Sequence, residues 1–124
     1  MYVKYKIVNN KIEYCYNIPI TYEFIQLCKD NNIIEIIFCY NFNQSIDILN
    51  ELYNVKIIYL DDMFNQSINT LPPLLNILRI GRNFNQTINN IPDSLHTFKL
   101  GFEFEKDIYN LHVLQKIDLV KVIL

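Results

Sequence analysis

With 124 residues, 51% of them hydrophobic and 19% charged, the chain has the size and balance of one folded domain. Its net charge of −2 leaves no basic stripe for a phosphate backbone, which argues against a nucleic-acid partner. No stretch is apolar for the length that a bilayer span needs, and the opening "MYVKYKIVNNK" alternates apolar and charged residues where a signal peptide would be continuously apolar. Ile, Asn, Tyr, Phe and Lys abound and Ala is absent, a composition that AT-rich codons explain without appeal to function.

In chain order, "YVKYKI" and "KIEYCY" read as two strands around Val8-Asn9-Asn10. Asn tolerates positive φ, so Asn9-Asn10 is expected to form a hairpin turn, with the first strand antiparallel and covering the sheet edge. Tyr14 and Tyr16 are expected to face inward, Tyr16 standing 22 residues before Phe38. The following "TYEFIQLCKDNN" spaces Phe24, Leu27 and Cys28 as a helix does, so this segment returns through a short helix.

From Ile33 one pattern recurs. It reads Ile33-x-x-Ile36-x-Phe38, then Val55-x-x-Ile58-x-Leu60, Leu75-x-x-Leu78-x-Ile80 and Leu95-x-x-Phe98-x-Leu100. Alternation over the last positions puts two apolar side chains on one face of a short strand. A Phe follows each time, at Phe42, Phe64, Phe84 and Phe104, with intervals of 22, 20 and 20 residues. The units continue as "FNQSIDIL", "FNQSINTLPPLL", "FNQTINNIPDSL" and "FEKDIYNL". Pro72, Pro73 and Pro92 deny a regular helix on the return path. One unit cannot bury its Phe, Ile and Leu alone, whereas stacked units can. Leu114, Ile117 and Leu119 fit a last rung, and "VKVIL" ends on an apolar note suited to packing, against another copy for example.

The strand pattern is the leucine-rich-repeat signature. The units resemble FNIP repeats, divergent relatives of leucine-rich repeats in amoebae and the giant viruses that infect them. The residues carrying the likeness are Phe42-Asn43-Gln44-Ser45-Ile46, Phe64-Asn65-Gln66-Ser67-Ile68 and Phe84-Asn85-Gln86-Thr87-Ile88, with Leu71-Pro72, Ile91-Pro92, Gly81 and Gly101. The fold expected is mainly β: a leucine-rich-repeat-like solenoid of 20–22-residue units with a short parallel sheet, irregular returns, a short helix in the first rung and an N-terminal hairpin cap. It forms one domain over 1–124: a cap and first rungs over 1–41, repeats over 42–104, and a degenerate last rung with a C-terminal cap over 105–124.

Within the repeats, Asn43, Asn65 and Asn85 are expected to form a ladder bonding the backbone of the neighbouring turn, with Gln44, Gln66 and Gln86 alongside. Phe42, Phe64, Phe84 and Phe104 form the stacked core. Cys15, Cys28 and Cys39 have no metal spacing. Cys15 and Cys39 come out two positions apart in register, so free thiols in a reducing compartment are expected. His96 and His112 have no nucleophile or ligand at hand, no cofactor or metal motif is present, and the chain is not expected to be an enzyme. Asp61-Asp62 reads as a solvated turn, and "LPPLL" as the return path.

Function is expected on the strand face that points off the core. One outward column reads Cys15, Ile37, Tyr59, Arg79, Lys99 and Asp118, and its neighbour Glu13, Glu35, Ile57, Ile77, Thr97 and Lys116. The centre is apolar, one end acidic and the other basic, the anatomy of a protein-binding patch. Its residues are Ile37, Ile57, Tyr59, Ile77, Arg79 and Lys99. The expected function is therefore a non-catalytic protein-interaction module of giant-virus or amoebal origin, acting in the host-cell cytoplasm on a protein partner, with no nucleic acid or membrane. One alternative is a structural module that self-associates through its ends. Some FNIP proteins carry an F-box, for which strand patterning from Tyr2 leaves no room. On that reading the chain is the substrate-recognition part of a ubiquitin-ligase adaptor without its own F-box.

Overall fold

The computed structural model describes residues 4–101 and, as a strand, 118–122. Strands β1 (Lys6–Val8) and β2 (Lys11–Tyr14) form the expected antiparallel hairpin, with Val8 opposite Lys11. Asn9 and Asn10 sit at φ 52° and 65°, the consecutive positive values that a tight two-residue turn demands. Helix α1 (Tyr22–Asp30) follows. Thr21 caps it by accepting the Phe24 N–H at 3.4 Å, and its inner face buries Phe24, Ile25 and Cys28.

Five parallel strands complete the sheet: β3 (Glu35–Phe38), β4 (Ile57–Leu60), β5 (Ile77–Ile80), β6 (Thr97–Gly101) and β7 (Asp118–Val122). The sheet is open and its seven strands lie in chain order, β1 to β7. Register is strict, so that Ile12, Ile36, Ile58, Leu78 and Phe98 stand in one row. A row of identical facing is what a period of two residues per pleat produces once the strands align.

Among the described residues, the buried apolar side chains lie on one side of this sheet or on the return paths that cover it. Each return repeats the same burial, at Phe42, Ile46 and Leu49, then Phe64, Ile68 and Leu71, then Phe84, Ile88 and Ile91. The Phe rings stack, Phe42 on Phe64 at 6.2 Å and 2°, and Phe64 on Phe84 at 6.2 Å and 8°. The first return uses a short 3-10 helix at Asp47–Glu51. The next two turn at proline, the Leu75 N–H reaching the Pro72 carbonyl and the Leu95 N–H the Pro92 carbonyl. Pro72 is buried, and Leu71-Pro72 is part of the packed return.

The turns after the strands pack backbone on backbone. A Cβ at Gly81 would lie 2.5 Å from Asp62 Oδ1 and 2.7 Å from the Asp62 nitrogen, and one at Gly101 would collide with the Gly81 carbonyl. The two glycines are therefore required by close approach between successive turns.

Three expectations need correction. The first rung is offset by 24 residues, not 22, because Tyr14, and not Tyr16, stands opposite Phe38. Helix α1 is the cause: a helical residue advances about 1.5 Å where an extended one advances about 3.3 Å, so a helical return uses more chain. Tyr14 is buried and its hydroxyl donates to the Ile18 carbonyl at 2.9 Å, which fastens the "NIPI" corner; Tyr16 is half-buried and bonds the Lys4 carbonyl at 3.0 Å.

The same shift overturns the expectation of free thiols at Cys15 and Cys39. They fall in register, their Cα atoms 4.7 Å apart, and form a disulfide; Cys28 is the buried free thiol. The step from three free thiols to a reducing compartment therefore loses its premise.

At the far end Leu119 stands opposite Phe98, not Leu100, so the last strand is also two residues out of the expected frame. Phe104, His112, Leu114, Lys116 and Ile117 lie outside the described residues, as do Tyr2 and the last two residues of "VKVIL".

Candidate protein-binding face

The side chains that alternate with the core row point to the other side of the sheet. Register sets two columns there. One is Lys11, Glu35, Ile57, Ile77 and Thr97, and the other Glu13, Ile37, Tyr59, Arg79 and Lys99. The sheet brings Ile37, Ile57, Tyr59, Ile77, Arg79 and Lys99 together on adjacent strands, which lie about 4.8 Å apart. Arg79 is exposed and the other five are half-buried. Their exposure is reduced by their neighbours in the row, since no second layer covers this side among the described residues.

Both ends of the two expected columns change, four positions in all. Cys15 gives its place to Glu13, and Lys11 joins the column of Glu35. In β7, Asp118 pairs with Thr97 and Val120 with Lys99. The acidic end is thus partly offset by lysines, and Glu13 also meets Lys6 at 3.8 Å. The basic end keeps Arg79 and Lys99.

A groove of about 390 Å³ runs along the rim of this face where the strands give way to turns. Ile37, Tyr59, Arg79 and Lys99 line it together with Asp61 and Asp62. Asp62 does more than a solvated turn residue: its carboxylate accepts the Arg82 backbone N–H at 2.9 Å, and Asp61 accepts the Asp62 N–H at 2.7 Å. The groove thus holds two carboxylates and two basic side chains together.

On the opposite side, the Asn and Gln residues of the repeat are occupied in holding units together. Asn43 Oδ1 accepts the Asn65 N–H at 2.9 Å and the Gln66 amide at 3.1 Å. Asn65 Oδ1 accepts the Asn85 N–H at 2.9 Å and the Gln86 amide at 3.1 Å. Asn17, which sequence reasoning missed, begins the series: its Oδ1 takes the Asn43 N–H at 2.9 Å and the Gln44 amide at 3.0 Å. A second, unexpected set lies on the return path, where Asn69 Oδ1 accepts the N–H groups of Asn89 and Asn90 at 3.1 and 3.2 Å. These amides are spent on the chain itself. His96 is exposed, its ring nitrogen 2.9 Å from the hydroxyl of the adjacent Thr97.

Among the described residues no helix is long and apolar enough to cross a membrane. No curated protein and no solved structure matches the chain significantly. The FNIP Repeat family model matches residues 64–103, the span of the Phe64 and Phe84 units with their strands. The preceding Phe42 unit makes the same Asn and Gln bonds. The chain therefore carries FNIP repeats.

Proposed function

We propose that the protein is a non-catalytic binding module: a small leucine-rich-repeat-like solenoid that takes a protein partner on the outer face of its sheet. The observation that carries this reading is the uncovered row of Ile37, Ile57, Tyr59 and Ile77, held in register on three adjacent strands with Arg79 and Lys99 beside it. Interfaces draw most of their energy from a few central aromatic and apolar residues inside a polar rim. FNIP repeats in the same chain support the reading, since stacked repeats build extended surfaces for partners. The amoebal and viral setting, and action inside the host cell, belong to the same proposal and rest on the resemblance of the repeats.

The test is a Tyr59→Ser, Ile77→Thr variant. Because neither side chain belongs to the core, its melting temperature should match wild type. Capture of partners from amoebal cell extract should fall tenfold or more, which takes only about 1.4 kcal/mol. Arg79→Glu should mainly slow association and change its salt dependence. An unchanged set of partners with the double variant sinks the face as the binding site.

A further inference from the structure

The corrected register gathers three ligating side chains at the hairpin end of the sheet. Cys15 and Cys39 each stand one residue past the paired Tyr14 and Phe38, and the Cys39 N–H continues the ladder to the Tyr14 carbonyl at 3.0 Å. Glu13, two residues before Cys15, faces the same way. The Glu13 carboxylate and the two sulfur atoms all lie within 4.8 Å of one another. Cys15 is exposed, and Cys39 and Glu13 are half-buried, so the cluster is open to solvent.

We propose that Cys15, Cys39 and Glu13 form a site for a soft divalent cation, zinc being the best fit, once the Cys15–Cys39 disulfide is reduced. Two thiolates and a carboxylate are a borderline-soft donor set, and zinc takes four ligands with thiolate sulfur at about 2.3 Å. Three protein ligands leave the fourth position to water. The backbone needs little rearrangement, because in-register neighbours on parallel strands already hold the two Cα atoms 4.7 Å apart. The Glu13–Lys6 contact at 3.8 Å is long and exposed, so it gives way readily, and Lys6 remains to offset the site's negative charge.

The chemistry balances. A dithiol reductant gives two electrons and two protons to the disulfide, yields two thiols and leaves as its own cyclic disulfide. Zinc binding then releases the two thiol protons to solvent. In the reverse direction a small-molecule disulfide such as oxidised glutathione accepts two electrons from the two thiolates and two protons from solvent, leaves as two thiols, and restores the Cys15–Cys39 bond as the metal is released. The sulfur lone pairs that held the metal are lost as ligands, so oxidation and metal binding exclude each other.

Cobalt(II) serves as the probe, since thiolate ligation gives it a charge-transfer band. The intact chain is reduced, freed of reductant without air, and titrated with cobalt(II) alone. One equivalent should produce the band, and zinc should displace it. Cys15→Ser and Cys39→Ser should each remove most of it, Glu13→Gln should weaken binding about tenfold or more, and Cys28→Ser should leave it unchanged. Oxidised glutathione should discharge the metal. Absence of the band in reduced wild type would leave the pair a plain cross-strand link and overturn the proposal. So would a band that survives Cys15→Ser, or metal retained by the oxidised protein. Circular dichroism of each variant identifies any that fails to fold, and Glu13→Gln, which alters no sulfur, keeps the ligand set testable if a Cys variant does.

Discussion

The Asn65 side-chain oxygen takes two hydrogen bonds from the unit that follows it; its removal deprives the Asn85 N–H of this acceptor, while the Gln86 amide keeps the Asn65 backbone carbonyl at 3.2 Å. A half-buried donor left without an acceptor costs about 1–3 kcal/mol. Asn65→Ala should therefore lower the unfolding free energy from urea titration by that amount and bring the midpoint down with it, while Asn50→Ala, exposed and without a side-chain bond among the described residues, should stay near wild type. Equal midpoints for the two variants would reduce the Asn series to composition. Asn69 is no neutral control, because it bonds Asn89 and Asn90 and its own amide reaches the Thr87 carbonyl at 3.4 Å. The first series was legible because its Asn residues follow Phe at a fixed step. Asn17 was hidden by the loss of both Phe and Gln around it. Asn69 was hidden by an Asn-rich background, although Asn89 recurs at the repeat distance. Cys28 illustrates a different residue-scale effect. Burial disfavours its thiolate and holds the thiol up to about 12. Its folded value lies above its unfolded one, so its contribution to stability is whole below the ordinary thiol pKa and is lost as pH rises from there toward 12. Unfolding free energy measured against pH should thus fall more steeply above pH 9 in wild type than in Cys28→Ala, by up to about 1.4 kcal/mol per pH unit. Parallel curves would mean that the thiol ionises as freely folded as unfolded.

At the scale of the element, each unit is stable only as a neighbour. Phe64 lies between Phe42 and Phe84 in one stack, fully buried, so Phe64→Ala opens a cavity that both flanking units line. The loss should be about 3–5 kcal/mol, a large share of what a domain this size possesses. Calorimetry should show it as a large fall in melting temperature. A fall no greater than that of a surface substitution would mean that the rings stack without supporting the units. The strands from β3 to β6 were legible in their register as well as their existence, because two strictly repeated intervals fix which residues align. The end strands were not. Repetition is the only register signal a parallel array offers, and at β2 it is broken by α1, whose residue count the apolar spacing does not set. The consequence reached the candidate site: a shift of two residues keeps every side chain on its correct face, so Ile37, Tyr59 and Arg79 were placed correctly, but it exchanged Cys15 for Glu13 and concealed the disulfide.

For the whole molecule, the question posed by an open sheet is what stops its edges from pairing with other copies. An edge strand offers unpaired N–H and C=O groups to any chain that approaches. At the N-terminal edge the answer is β1. It is short, it runs antiparallel to β2 and so against the parallel strands, and it carries exposed Lys6, with exposed Lys4 two residues before it. A second copy docking there would bring its own lysines alongside, and like charges facing across a strand pair are unfavourable. This weighs against self-association through that end. Light scattering at micromolar concentration should accordingly report a single chain. Replacing both lysines by Thr retains β-propensity and removes the repulsion, so the Lys4→Thr, Lys6→Thr variant should show concentration-dependent association, suppressed little by salt because it is driven by backbone pairing. If wild type associates as strongly as the variant, the lysines do not guard the edge. If addition of Tyr59→Ser and Ile77→Thr then abolishes that association, the partner of the sheet face is a second copy of this chain. If the wild type remains monomeric and the lysine variant associates with its sheet-face capture of partner unchanged, the two surfaces act independently, with one kept closed by charge and the other left open for binding.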